Sequence, residues 1–157
     1  MIILGIDPGL ASTGWAILKK ESEPSLLEYG CIKTHKDAEF PSRLSLIYRE
    51  VTDLVTRTKP DVLAIEELFF ARNVKSAINV AHTLGVVKLA GNEQNVPIFG
   101  YTPLNIKMLM TGYGRSKKPQ IQEAVGKILN IDKKIKPDHA ADAVAVALSH
   151  IFSLTKK

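Results

Sequence analysis

The stretch Ile2-Ile3-Leu4-Gly5-Ile6-Asp7-Pro8-Gly9 decides the fold of this chain. Its continuous apolar run predicts a buried central strand, and Asp7-Pro8-Gly9 predicts the turn that ends it. Two further strands are predicted at 13–18 and 26–32, with the polar stretch 19–25 as the hairpin loop between them. The first third of the chain therefore predicts an antiparallel meander.

From residue 40 the apolar period becomes helical, and helices then alternate with strands. Helices are predicted from residue 40 to the Lys59-Pro60-Asp61 stop, at 74–93 and at 103–110. Strands are predicted at 62–65 and 96–101. A Gly- and Lys-rich loop at 111–118 precedes two more helices, the last of which Asp138 can cap. This order predicts an α/β fold: a mixed five-stranded sheet, with an antiparallel meander plus parallel strands, flanked by helices in a single domain over 1–157.

Composition limits the class of protein. Of 157 residues, 45% are hydrophobic and 24% charged, which is the balance of a globular domain and excludes a disordered or collagen-like chain. The net charge of +5 is a weak indication of a polyanionic partner. A single cysteine, Cys31, cannot form an intramolecular disulfide, and no signal segment or membrane span is indicated. We therefore expect a cytoplasmic protein with no membrane partner.

Four residues of metal-binding type lie at positions where α/β folds commonly form their functional sites. Asp7 and Glu66 each follow an apolar strand, and His139 and Asp142 share one face of the last helix. If they converge, two carboxylates at 4 Å repel by about 4 kcal/mol at an effective dielectric near 20, so the cluster binds either protons or cations. Oxygen ligands favour Mg²⁺ or Mn²⁺, and paired ions of this kind catalyse phosphodiester hydrolysis. The pattern predicts a metal-dependent nuclease.

Each residue also has a simpler explanation. Asp7 before Pro8-Gly9 could only form a turn, Glu66 could be a solvated strand end, and His139 could be a surface histidine. Asp142 is harder to explain this way, because a charge on an otherwise apolar helix face needs a partner.

Several stretches form a recognisable set: Gly5-Ile6-Asp7-Pro8-Gly9 with Thr13-Gly14, Ala64-Ile65-Glu66 with Phe69, His139-Ala140-Ala141-Asp142-Ala143, Pro41-Ser42-Arg43-Leu44 and the loop 112–118. This set resembles the motifs of the RuvC family of Holliday junction resolvases. The resemblance implies a ribonuclease H-like fold and a homodimer that resolves four-way junction DNA by paired, symmetric nicks, leaving 5′-phosphate and 3′-hydroxyl ends, in recombination and DNA repair. It also implies the branch-migration proteins RuvA and RuvB as partners.

Carried over by residue, the resemblance makes Asp7, Glu66, His139 and Asp142 both catalytic and metal-binding, with two Mg²⁺ per active site and Mn²⁺ as a substitute. Many members of the family have an aspartate in place of His139. Whether this histidine is a metal ligand or a general base therefore stays open.

The resemblance also implies a DNA-binding surface. Phe69 would stack on an unpaired base, and basic side chains would bind phosphates. The expected DNA-binding residues are Phe69, Arg72, Lys75, Lys107, Arg115, Lys117 and Lys118. The helix at 74–93 is similar to the family's dimerisation helix.

Other classes of function remain. Asp7-Pro8-Gly9 with Thr13-Gly14 also resembles the phosphate-binding hairpin of actin-like ATPases and sugar kinases, although 157 residues are too few for the second half of such a fold. A ribonuclease H-like scaffold that binds junctions without cutting them, or a related nuclease acting on RNA, is a further alternative.

Overall fold

The computed structural model describes residues 1–67 and 74–155, and the side chains of 74 and 75 are outside this description. Within these residues the chain forms five strands and five helices. The strands are β1 (Ile2–Asp7), β2 (Ser12–Lys20), β3 (Pro24–Lys33), β4 (Val62–Glu66) and β5 (Ile98–Tyr101). The helices are α1 (Phe40–Thr58), α2 (Val74–Glu93), α3 (Pro103–Thr111), α4 (Lys118–Leu129) and α5 (Asp138–Ser153).

The strands form one mixed sheet in the order β3-β2-β1-β4-β5. Strands β1, β2 and β3 are the predicted antiparallel meander, while β4 is parallel to both β1 and β5. The predicted hairpin loop at 19–25 is too long. Lys19 and Ser25 are paired with each other across β2 and β3. Polar residues are compatible with these positions because most β3 side chains are exposed or half-buried.

Helices cover both faces of the sheet. Alternating β1 side chains point to opposite sides, so that Ile3 packs in the core beneath α5, while Leu4 and Ile6 pack against α1 and α2. This alternation follows from the period of two residues in a strand. No helix in the described ranges has both the length and the apolar character to cross a membrane.

Two glycines let α5 approach the sheet unusually closely. A Cβ added at Gly5 would clash with the backbone oxygen of Ala143, and a Cβ at Gly14 would clash with that of His139. Only glycine allows backbones to meet at such distances. The first turns of α5 are therefore held directly over the end of β1.

The start of α5 differs from the prediction. Its N-cap is Pro137, and no side chain caps the helix. Asp138 is instead the first helical residue, where its negative charge stabilises the positive end of the helix dipole. Its carboxylate also lies 3.4 Å from the Lys118 ammonium.

Candidate active site

The ends of β1 and β4 bring the first two acidic residues together. The two strands are parallel neighbours, and Ile6 is paired with Ile65, so the next residue on each strand, Asp7 and Glu66, stands at the same edge of the sheet. The side chain of Asp7 is only 14% exposed. The adjacency of the two strands places two carboxyl groups at one carboxyl-terminal edge, as the pattern predicted.

The first turns of α5 complete the cluster. Nδ1 of His139 lies 2.7 Å from Oδ2 of Asp7, and the ligand atoms of Asp7, His139 and Asp142 all lie within 4.8 Å of one another. Asp7, His139 and Asp142 therefore converge, because the close contact of α5 with Gly14 puts the helix start beside the end of β1. Glu66 joins them through its hydrogen bond with Asp7. The simpler explanation of His139 as an isolated surface residue does not hold.

Lys118 adds a positive charge to this acidic cluster. Its Nζ donates to Oδ2 of Asp142 at 2.8 Å, and the ammonium reaches the site because α4 begins at this residue. Partial burial acts to lower the pKa of Lys118, but the bond to Asp142 and the charges of Asp142 and Asp138 outweigh it and raise the pKa overall. Lys118 thus remains a cation that neutralises part of the acidic charge.

Burial and mutual repulsion perturb the acidic groups. Desolvation, the charge of Asp7 and a hydrogen bond with Asp7 raise the pKa of Glu66 to about 8. Desolvation also raises the pKa of Asp142, against the lowering effect of Lys118. The hydrogen bond to Asp7 raises the pKa of His139. Without a metal the cluster therefore retains protons that a divalent cation would displace.

The donor set suits a hard divalent cation. Asp7, Glu66 and Asp142 offer carboxylate oxygens, which Mg²⁺ and Mn²⁺ prefer, and the imidazole of His139 is compatible with Mn²⁺. Burial, together with the neighbouring charges of Asp7 and Asp142, raises the pKa of Glu66, so a divalent cation would favour its ionised form.

In the described part of the chain, two clefts are lined by Glu66 together with other residues of this cluster. The first, about 560 Å³, is lined by Asp7, Glu66, His139 and Arg43. The second, about 460 Å³, runs from Glu66 and Asp142 and contains the basic residues of the loop before α4. Four of the predicted DNA-binding residues line this second cleft: Lys107, Arg115, Lys117 and Lys118. Phe69, Arg72 and the side chain of Lys75 lie outside the described residues.

Arg43 was given no role by the sequence reasoning, yet it lies in the first cleft. Its Nε donates to Oγ1 of Thr34 at 2.7 Å. The only sequence signal was its place in Pro41-Ser42-Arg43-Leu44, which contributed to the family resemblance.

The family model described as crossover junction endodeoxyribonuclease RuvC matches residues 3–150. This chain belongs to the RuvC family.

Curated RuvC relatives match nearly the whole chain. Crossover junction endodeoxyribonuclease RuvC of Alkaliphilus oremlandii is 50% identical over 151 residues, which cover 96% of this chain and 92% of the relative. The protein of the same name from Finegoldia magna is 48% identical over 153 residues, which cover 97% and 93%. The predicted RuvC resemblance is confirmed.

Solved structures show the same fold. The structure of T. thermophilus RuvC in complex with Holliday junction substrate superimposes with a TM-score of 0.93 at 32% identity, covering 99% of this chain and 96% of that one. The yeast mitochondrial Holliday junction resolvase Ydc2, at 16% identity, has a TM-score of 0.68 over 98% of this chain and 80% of its own and shares the fold. The predicted ribonuclease H-like fold, with a mixed five-stranded sheet flanked by helices, is confirmed.

Proposed function

We propose that this chain is a structure-selective DNA endonuclease that resolves Holliday junctions by paired, symmetric, metal-dependent nicks, in recombination and DNA repair. The observation that carries the proposal is the meeting of Asp7, Glu66, His139 and Asp142 at one sheet edge. They meet in a chain whose family members are named crossover junction endodeoxyribonucleases. The similar T. thermophilus structure is described as holding a Holliday junction substrate.

The four clustered residues would hold two Mg²⁺ ions, for which Mn²⁺ can substitute. When bound, such ions supply positive charge that activates a water and stabilises the leaving 3′ oxygen, leaving 5′-phosphate and 3′-hydroxyl ends. Glu66, whose pKa lies near 8, would release its proton on metal binding. No covalent enzyme intermediate is needed for this reaction.

His139 has a second possible part in the reaction. Its Nδ1 forms a hydrogen bond with Asp7, and this bond orients the ring. Nε2 is then the nitrogen that would take a proton from the attacking water. The neutral imidazole would serve either as a ligand or as this base, so both roles require deprotonation of His139.

DNA would lie along the basic side of the site. Lys107, Arg115, Lys117 and Lys118 line the cleft that leads away from Glu66 and Asp142, where ammonium and guanidinium groups can bind backbone phosphates. By the family resemblance we assign Phe69 to stacking on an unpaired base, and Arg72 and Lys75 to an extension of this surface.

We also propose a homodimer formed through α2. One face of this helix is buried through Val87 and Ala90, whereas Ile78 and Leu89 are 50% and 51% exposed. Gly85, between these two exposed residues in the sequence, has open space around it. A flat apolar face of this kind suits a second copy, and a twofold dimer presents two sites to the two strands of a junction that must be cut.

The dimer proposal is tested with Leu89→Glu. We expect a monomer in sedimentation at micromolar concentration, and nicks that are no longer paired on one junction. Leu27→Glu, at a 54% exposed position on β3, is the matched control and should remain dimeric. A parent protein that sediments as a monomer would contradict this proposal.

We also propose a single nuclease domain over 1–157, from the order of strands and helices, and a cytoplasmic location. From the family resemblance we propose cooperation with the branch-migration proteins RuvA and RuvB.

One cleavage experiment tests the function. The protein is incubated with a four-way DNA junction, the same junction in RNA, a matched duplex and a single strand, each with Mg²⁺, Mn²⁺ or a chelator. We expect symmetric nicks in the DNA junction alone, dependent on metal and absent from Asp7→Asn. Equal cutting of linear duplex, preference for RNA, binding without cutting, or cleavage that survives the chelator would each contradict the proposal.

A further inference from the structure

Arg43 is oriented by a hydrogen bond in the cleft beside the acidic cluster. It lies in the first turn of α1 and is half-buried. Oγ1 of Thr34 accepts from its Nε at 2.7 Å and itself donates to the backbone oxygen of Leu10 at 2.6 Å. Because the hydroxyl proton is committed to Leu10, Thr34 can only accept from Arg43. Among the described residues, the hydrogen bond that anchors the guanidinium is the one from Nε to Thr34.

The terminal nitrogens of Arg43 remain available. Within the ranges 1–67 and 74–155, no carboxylate forms an ion pair with Arg43, whereas Arg57 is paired with Glu28 and Lys118 with Asp142. The same cleft is lined by Asp7, Glu66 and His139. A preoriented guanidinium with free donors, next to a reacting centre, has the geometry of a site for an oxyanion of phosphate.

The position of Arg43 also differs from that of the other basic residues. Lys107, Arg115 and Lys118 line the second cleft, and Glu66 lies on both clefts. A DNA strand whose scissile phosphate lies at the cluster would extend into both clefts. The second cleft would hold one flank of the cut site, and the first cleft needs a cation for the other.

We propose that Arg43 binds a backbone phosphate that flanks the scissile phosphate, on the side opposite Lys107 and Lys118, and so fixes the register of the cut strand. This inference rests on the proposed nuclease function and extends it to a residue with no assigned role. Arg43 binds the DNA rather than the reacting atoms, and the test therefore measures contact with a phosphate directly.

Binding to a four-way junction is measured in an Asp7→Asn background, so that the DNA stays intact, at several salt concentrations. Loss of a charged hydrogen-bonding partner should weaken binding of Arg43→Ala about 10- to 100-fold, and the slope of log K against log salt should fall by about 0.9. Arg43→Lys should restore the slope but only part of the affinity, because it keeps the charge and loses the fork. Arg57→Ala removes an arginine from the same helix outside the cleft and should match the parent.

A scan with single methylphosphonates, which neutralise one phosphate at a time, locates the contact. One position beside the cut should weaken binding by the parent and leave binding by Arg43→Ala unaffected. If no such position exists, or if Arg43→Ala has the affinity and slope of Arg57→Ala, the inference is wrong. Failure of the parent with intact Asp7 to cut the junction would instead refute the proposed function.

Discussion

Replacing Glu66 by glutamine should stabilise the metal-free protein at alkaline pH. The pKa of Glu66 rises from an ordinary value of 4.5 to about 8 through burial and the neighbouring Asp7 and Asp142. Below pH 4.5 the carboxyl is protonated in both the folded and unfolded states. Between pH 4.5 and 8 the unfolded chain releases this proton and the folded protein keeps it, so the free energy of unfolding falls as pH rises.

The magnitude follows from this difference in pKa. At about 1.4 kcal/mol for each pH unit, the full effect reaches about 5 kcal/mol at pH 8 and stays constant above it. Glutamine keeps a neutral side chain that can still donate to Asp7, and it removes this pH dependence. Because Glu66 is only half-buried, solvent screens part of this effect, and we expect Glu66→Gln to gain about 2 to 3 kcal/mol at pH 9. At pH 5 the gain should be nearly absent.

The assay is urea unfolding in chelator across this pH range, with thermal unfolding as a second measurement. A gain of 2 to 3 kcal/mol corresponds to about 5 to 10 °C in Tm for a chain of this size. Glu67→Gln removes the next carboxylate, which bonds to Lys88 outside the cluster, and should show no such gain. Equal stability of Glu66→Gln and the parent at pH 9, or a gain independent of pH, would refute the reasoning. Adding Mg²⁺ at pH 9 should stabilise the parent more than the variant.

Three further outcomes are expected. Because the pKa of His139 is raised, protons compete with metal for this residue as pH falls. The Mn²⁺ affinity measured by calorimetry should therefore weaken as pH is lowered from about 8.5 to 6, and the weakening should be smaller in His139→Asn. Gly5→Ala forces a Cβ against the backbone of Ala143 and should reduce the free energy of unfolding by about 1 to 3 kcal/mol in urea; unchanged stability would exclude the close packing. Lys118→Ala removes the hydrogen bond to Asp142 and should slow single-turnover cleavage about 10- to 100-fold, with Lys118→Arg less impaired. A parental rate would show that the Lys118 ammonium does not assist cleavage.

Much of the fold was predictable because hydrophobic periodicity follows directly from the geometry of strands and helices. The continuous apolar run of β1 and the helical period from residue 40 depend on neighbouring residues alone. The errors lie where distant contacts compete with local preference. Pairing across the β2–β3 edge draws Lys19 and Ser25 into strands, and the ion pair with Lys118 engages Asp138, which was expected to cap α5.

The candidate site divides in the same way. Residue type and position at strand ends were enough to select Asp7 and Glu66, and helical spacing was enough to pair His139 with Asp142. The role we propose for Arg43 needed the structure, because an arginine beside Leu44 on an amphipathic helix looks like any solvated residue. Its bond to Thr34 and its position in the cleft are long-range facts.

The sequence by itself determined which chemical groups the chain carries, the order of its strands and helices, and the motifs that place it in a family. The tertiary structure decided the distances. Strand β4 lies beside β1, and α5 packs closely against Gly5 and Gly14. As a result the side chains of Asp7 and His139 form a hydrogen bond although they are 132 positions apart in the sequence. Such proximity arises from packing over the whole sheet, because the repulsion among buried carboxylates depends on separation and solvent access, and neither is encoded at any single position.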